Sequence, residues 1–228
     1  MSAFRDTSAA KTALVFGATG MIGAQLLRAL LASPDYARVI AVVRRPLAVS
    51  DPKLTVLIGD RETLPALAPQ LKADDVFIAL GTTRKQTPDP AAYYQIDHDY
   101  PVEAARIARA NGAKAVLLVS AVGADAASRS SYLRTKGETE RDVIALGFAR
   151  TAIFRPSMLM GERSEHRPLE RFFIVLARLL NPLLAGGADR YRGIEGSDVA
   201  RAMIAAARSE APGVRIYHWR EMTALLRS

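Results

Sequence analysis

Apolar residues along this 228-residue chain fall into short unbroken runs, separated by stretches in which they recur every three or four positions. The runs at residues 12–16, 38–43, 54–58, 75–80, 115–119 and 148–154 predict strands, because short apolar stretches bounded by turn formers suit strands buried on both faces. Helical spacing at Ile22, Leu26, Leu27, Leu30 and Leu31 predicts a first helix. Further helices are expected over residues 62–71 despite Pro65 and Pro69, from about 91 to 110 with Pro101 as a kink or boundary, over 131–146, around 172–180 and over 197–207. No element is read beyond residue 207. Strands alternating with helices imply an α/β fold, a parallel sheet flanked by helices.

One junction carries chemistry. Gly17, Gly20 and Gly23 stand where the first strand hands over to the first helix. Gly17 suits a tight turn, Gly20 lets backbone amides approach a pyrophosphate, and Gly23 lets the helix pack closely on the strand, with the helix N-terminus attracting the anion. Thr19, Met21 and Ile22 fill the positions between and are expected to share in cofactor binding. The spacing is G-x-x-G-x-x-G, not G-x-G-x-x-G, and an ordinary tight connection stays open as the other reading. The strand before and the helix after favour nucleotide binding on a Rossmann-type doubly wound sheet. The length allows one such domain over residues 1–228, with residues about 157–192 forming a small C-terminal lobe over the substrate.

Arg44 and Arg45 close the second strand, where NAD-binding folds offer an acid to the ribose 2′-hydroxyl. A guanidinium fork there accommodates a 2′-phosphate, so NADP(H) is expected, unless both arginines are simply solvated at a strand end. Asp60, ending the third strand, suits an adenine amino group, a helix cap, or both. Ser120 ends the fifth strand, and Tyr132 and Lys136 lie four apart, stacked on one helix face. A free tyrosine titrates at about 10, and a cation one turn away is expected to lower that value enough for acid/base work. A surface Tyr and Lys on an amphipathic helix is the plainer reading.

Composition narrows the partners. Lys and Arg number 31 against 23 Asp and Glu, a net charge of +8 that suits an anionic ligand, an acidic partner or a basic surface. The arginines are scattered, with no aromatic-interleaved stripe, so nucleic acid is not expected. With no Cys, the chain has no disulfide, thiolate zinc site or cysteine nucleophile, and it fits a reducing compartment. His98, His166 and His218 lack metal-ligand spacing, and no metal is expected. The longest apolar run, residues 172–185, is broken by Arg178, Asn181 and Pro182 before reaching the roughly 18 residues of a membrane span. Arg5 and Lys11 before an apolar stretch suggest a signal peptide, but its cleavage would remove the first strand and the glycine turn. A soluble, cytoplasmic protein is therefore expected.

GATGMIG at residues 17–23, Ser120 at a strand end and the Tyr132–x–x–x–Lys136 spacing together resemble the short-chain dehydrogenase/reductase superfamily. LGTTR at 80–84, IDHDY at 96–100, SYLRTKGETE at 131–140 and FRPSMLMGER at 154–163 resemble its atypical branch, which contains the Tat-interacting oxidoreductase. The similarity runs from about residue 12 to 199. It implies Tyr132 as general acid/base, Lys136 holding the nicotinamide ribose and depressing the tyrosine, and Ser120 hydrogen-bonding the substrate oxygen. It also implies Leu80, Gly81 and Thr82 along one side of the cofactor, with Pro156 and Met158 passing the nicotinamide carboxamide. Asp97 stands where most superfamily members carry Asn, so it joins the catalytic set while altering the usual proton relay. The expected function is an NADP(H)-dependent oxidoreductase moving a hydride between nicotinamide and a small carbonyl or alcohol. An NADP(H)-binding sensor with little turnover, and an isomerase or epimerase with no net redox change, stay open. Met158, Met160, Phe172, Phe173 and Tyr191 either line a substrate pocket or pack the core. Monomer and homodimer are both open.

Overall fold

The computed structural model describes residues 10–157, 159–160 and 186–227. The apolar runs become β1 (Lys11–Phe16), β2 (Tyr36–Val43), β3 (Leu54–Ile58), β4 (Asp75–Ile78), β5 (Ala115–Val119) and β6 (Arg150–Phe154). A two-stranded pair follows, β7 (Leu159–Met160) with β8 (Ile194–Glu195), and then β9 (Gly213–Tyr217). The main sheet has seven parallel strands in the order β3-β2-β1-β4-β5-β6-β9. This is the expected doubly wound arrangement.

Successive strand residues point to opposite faces, and both faces are apolar, so two cores form. Ala13 and Val15 of β1 face one core, built with α1 (Met21–Ala32), α6 (Gly196–Ala207) and α7 (Trp219–Leu225) through Leu26, Leu30, Val199, Met203 and Met222. Leu14 and Phe16 face the other, built with α4 (Tyr100–Ala110) and α5 (Ser131–Ala145) through Ala104, Ala105, Ala108 and Val143. Each fully buried large aliphatic side chain contributes about 1.5–3 kcal/mol.

Three expectations change. The helix over 62–71 shrinks to α2 (Leu64–Leu67) and a 3-10 turn (Ala68–Gln70), each with a proline at its start, because a proline lacks the N–H that a continuing helix would need. The helix from 91 to 110 divides into α3 (Pro90–Tyr94), a π-turn (Gln95–Asp99) and α4; Pro101 falls in the first turn of α4, where no N–H is required. Finally, β9 and α7 appear where no element was read. Among the described residues β9 pairs with β6 alone, and as the edge strand there it leaves Val214 48% and Ile216 40% exposed, so its apolar pattern is short and weak. The apolar helix expected around 172–180 lies outside the described residues.

At the amino ends of the strands, one carboxylate ties several elements together. Asp75 is fully buried; its Oδ2 accepts from Tyr36 Oη at 2.8 Å and Lys11 Nζ at 3.2 Å, and its Oδ1 from Arg150 Nη2 at 3.0 Å. Lys11 Nζ and Arg150 Nη1 also donate to the Ala207 carbonyl, at 3.2 and 3.0 Å, which joins the end of α6 to β1 and β6. Burial and the Asp75 charge push the Tyr36 phenol far up. Asp75→Ala leaves two cations and a phenol facing a void, and breaking such a buried pair costs about 3–5 kcal/mol. Denaturant unfolding of this variant is expected to show an unfolding free energy lowered by that amount, seen as a lower midpoint at an unchanged slope; a loss under about 1 kcal/mol would contradict a stabilising role for the cluster.

Candidate active site

Because all strands of the main sheet run one way, their carboxyl ends share one edge, and the strand order reverses between β1 and β4. A crevice opens at such a reversal. The glycine turn lies in it. Gly17 has φ +83°, and a Cβ built there would lie 2.4 Å from the Ala79 carbonyl oxygen just past β4. A Cβ on Gly23 would lie 1.9 Å from the Gly17 carbonyl oxygen, so only glycine lets α1 sit this close. Gly20 is the exposed N-cap of α1; no side chain caps that turn and no acid lies in it, which leaves its amides and the positive end of the helix for an anion.

A cleft of about 590 Å³ adjoins this turn, with Gly17, Thr19, Gly20, Arg44, Asp60, Leu80, Gly81 and Thr82 on its walls. Ile22 and Gly23 are buried behind the turn, and Met21 packs on Gly196, so these three support the turn from behind. Arg45, one residue past Arg44, is exposed and off the cleft wall. Arg61 and Tyr100, not read from the sequence, are on it. Asp60 Oδ1 accepts from Thr63 N and Oγ1, both at 3.0 Å, and from Glu62 N at 3.1 Å. These bonds, Thr63's first, hold its carboxyl below the usual range, but they close the turn before α2, whose N-cap is Thr63 with no side-chain cap, so Asp60 does not cap that helix. Burial and then the Asp60 charge push the Tyr100 phenol up to about 12, with Arg44 opposing.

Beyond Gly81 the cleft meets a second group of residues. A Cβ on Gly81 would lie 3.3 Å from Asp97 Oδ1 and 3.7 Å from Lys136 Nζ. Asp97, fully buried on the π-turn, accepts from Thr82 N at 3.0 Å and lies 3.5 Å from Lys136 Nζ, while its Oδ2 has no partner. Lys136 is itself 7% exposed, whereas Tyr132, one turn earlier on α5, is 42% exposed. The helix reaches this position because Gly137 packs on the loop after β5, where a Cβ would lie 2.2 Å from the backbone of Asp125 and Ala126. Ser120 follows β5 at the same sheet edge; its N donates to the Phe154 carbonyl at 2.7 Å, and its buried Oγ has no partner. The Pro156 carbonyl accepts from Val122 N at 2.9 Å, and Arg155 forks onto Glu140 of α5, Nε to Oε1 at 2.9 Å. Met158 lies outside the described residues.

The structure corrects one expectation here. Lys136 does not lower Tyr132: partial burial, and then the Asp97 charge, push that phenol above its ordinary value. Burial is the larger cause, and Asp97, 3.5 Å from Lys136 Nζ, adds a negative charge beside the cation. Tyr93 of α3, also unread in the sequence, is 2% exposed, carries the Arg84 guanidinium over its ring at 4.6 Å, and is pushed far up by burial and the Asp97 carboxylate beside it.

Amide donors at an uncapped helix start, two glycines with no room for a Cβ, and an arginine on the far wall fit a dinucleotide. A family model described as NAD(P)H-binding matches residues 17–210. The chain belongs to this NAD(P)H-binding family. It is 38% identical over 216 residues to protein fmp52, mitochondrial, of Emericella nidulans, covering 89% of this chain and 91% of that one. It is 40% identical over 156 residues to protein FMP52, mitochondrial, of Candida glabrata, covering 68% and 67%. Among solved structures it resembles MoeE5 in complex with UDP-glucose and NAD, with a TM-score of 0.67, 21% identity and coverage of 93% and 80%. It also resembles the dTDP-glucose 4,6-dehydratase DesIV from Streptomyces venezuelae with NAD bound, with a TM-score of 0.68, 20% identity and coverage of 95% and 80%. The fold is thus an NAD(P)-binding one, shared with these structures, and a nicotinamide cofactor follows from the family.

The fungal names overturn the cytoplasmic expectation. A Cys-free, basic composition is as compatible with one reducing compartment as with another, so it never carried that distinction. Among the described residues no helix is long and apolar enough to cross a membrane.

Gly23→Ala pushes a methyl group into the Gly17 carbonyl, and overpacking of this kind costs about 1–3 kcal/mol. The variant is expected to lose roughly tenfold or more in nicotinamide cofactor affinity by fluorescence titration, since α1 and the turn move together. Unchanged affinity would mean that the turn does not hold the cofactor.

Proposed function

We propose that this protein is an NADP(H)-dependent oxidoreductase that interconverts a carbonyl and an alcohol in a small molecule, with Tyr132 as general acid/base. The observation that carries this is at Gly81, where the wall of the glycine cleft meets the Asp97–Lys136 pair, one helical turn from a half-exposed phenol. When bound, the nicotinamide supplies or takes the hydride. In reduction the Tyr132 hydroxyl donates a proton to the carbonyl oxygen, and Ser120 Oγ, buried with no partner of its own, donates a hydrogen bond to the same oxygen. Lys136 holds the nicotinamide ribose. Gly17, Thr19, Gly20, Leu80, Gly81 and Thr82 hold the dinucleotide, with Pro156 beside the carboxamide; most of the lobe expected over residues about 157–192 lies outside the described residues.

Arg44 takes the 2′-phosphate. Its place on the cleft wall, beside Tyr100, supports NADP(H), while Arg45 lies off that wall and leaves the proposed contact set. The compartment proposed is the mitochondrion, on the names of the fungal relatives. A second reading, an NADP(H) sensor with little turnover, is favoured by one observation, namely that Lys136 is already paired with Asp97.

Two measurements test the leading reading. Arg44→Ala removes a charge-assisted contact to phosphate, about 1.5–3 kcal/mol, so NADPH affinity is expected to fall roughly 10- to 100-fold and NADH affinity little. Arg45→Ala should change neither, and wild-type protein binding both cofactors equally would remove the NADP(H) assignment.

Tyr132→Phe deletes one hydroxyl from an exposed position and should leave folding and cofactor binding intact. Carbonyl reduction across a panel of aldehydes and ketones is expected to fall about 10²- to 10⁴-fold. Full retained activity would sink the assigned mechanism, and no wild-type turnover on any member of the panel would favour the sensor.

A further inference from the structure

The loop after β4 runs along the start of α5. At one end Gly81 faces Lys136, with a Cβ position 3.7 Å from Nζ, and at the other Arg84 Nη2 donates to Ser131 Oγ at 2.9 Å. Tyr132 lies on α5 between these two contacts, so Arg84 stands at the outer edge of the opening that holds the proposed proton donor. The backbone around Arg84 is held. Thr82 N donates to Asp97 Oδ1 at 3.0 Å, Gln86 N and Thr87 N donate to the Thr83 carbonyl at 2.9 and 2.8 Å, and Asp89 Oδ2 accepts from Ala92 N at the start of α3.

The side chain is held as well, and by neutral groups. Its guanidinium lies over the buried Tyr93 ring at 4.6 Å, and Ser131 takes one of its donors. Such partners orient a guanidinium without neutralising it. Arg84 is exposed, and among the described residues it has no further hydrogen-bond partner and no ion pair. The acids of the adjoining elements are engaged elsewhere: Asp97 faces Lys136, Asp89 caps α3, and Asp125 accepts from Ala127 N at 2.9 Å. The first turn of α5 carries no acid, so no charge there opposes an incoming anion.

We propose that Arg84 is a specificity residue, which binds a carboxylate or phosphate group of the substrate and so sets the carbonyl against Tyr132. This rests on the oxidoreductase reading and narrows its substrate to anionic carbonyl compounds. The anionic group takes no part in the transfer. A guanidinium fork on a carboxylate or phosphate fixes both distance and angle, and a small molecule held at its far end presents its carbonyl in one place.

The test compares oxo acids of increasing chain length with their methyl esters, and glyceraldehyde 3-phosphate with glyceraldehyde, all with NADPH. For the best-fitting anion kcat/KM is expected to exceed that of its neutral counterpart at least about tenfold, the lower end of a charge-assisted contact. Whether the oxo acids or the phosphorylated aldehyde give the larger ratio distinguishes the two anions. Arg84→Ala is expected to bring the ratio close to one and Arg84→Lys to keep part of it; Arg84→Gln serves should the Ala variant fail to fold. A wild-type ratio near one overturns the proposal. So does a variant in which acid and ester fall together at an unmoved ratio, the mark of a loosened loop, or one in which only NADPH affinity falls, which assigns Arg84 to the cofactor. Calorimetric titration of the NADP+-loaded protein with succinate and with inorganic phosphate reads the same site without turnover. In a protein that reduces no carbonyl, binding that weakens about tenfold in Arg84→Ala supports the Arg84 assignment and counts against the oxidoreductase reading alone. Binding of neither probe by such a protein overturns the Arg84 assignment too.

Discussion

The contact between Gly23 and the Gly17 carbonyl is the constraint on which the rest of the site depends. With a Cβ position only 1.9 Å from that oxygen, α1 lies on the turn with no side chain between them. The same turn presses on the end of β4 at Ala79, so the helix start, the turn and the beginning of the loop at Gly81 form one rigid backbone unit. Rigid donors cost no reorganisation when an anion arrives, which is why backbone amides at a helix start make a better phosphate site than mobile side chains. Gly81 then extends that unit to Asp97 and Lys136.

Two buried aspartates show how the sheet divides its work between its ends. Asp75, at the amino ends, has both oxygens bonded, to Tyr36, Lys11 and Arg150, and its cations reach on to the end of α6. Every group there is satisfied, as a stabilising buried cluster requires. Asp97, at the carboxyl ends, keeps one oxygen unbonded, and Ser120 Oγ near the same edge is equally unpartnered. Unsatisfied buried polar atoms cost about 1–3 kcal/mol each, and they persist where a ligand is to complete them. The contrast sets a group that holds the fold against two unpartnered polar atoms at the edge where the proposed chemistry lies.

What the sequence disclosed was local. The glycine turn, the strand-end position of Ser120 and the four-residue step from Tyr132 to Lys136 are set by neighbours in the chain, and the structure keeps all three. Contacts between distant residues were not legible. Asp97 and Lys136 are 39 positions apart, and only the packing of α5 on the π-turn brings them to 3.5 Å, where the carboxylate adds to the burial that raises Tyr132. Arg44 and Arg45 looked equivalent in sequence; both are exposed in the bend after β2, and of the two only Arg44 is on the cleft wall. β9 was missed because it pairs on one side only, so burial never imposed a strong pattern on it.

The π-turn explains how an acid comes to lie inside an apolar layer. In an uninterrupted α-helix, residues seven apart share a face, so Asp97 would follow Ala104 onto the sheet beside Leu14 and Phe16. A buried carboxylate among those side chains would have no partner. One inserted residue rotates what precedes it by roughly 100° about the helix axis. The rotation lets α4 keep Ala104, Ala105 and Ala108 on the core while Asp97 turns toward α5 and the Thr82 amide. Thr139 holds it there through the Asp97 carbonyl. The irregularity in the helix and the position of the charge are therefore one feature: without the extra residue in residues 95–99, the carboxylate would point into the core instead of at Lys136.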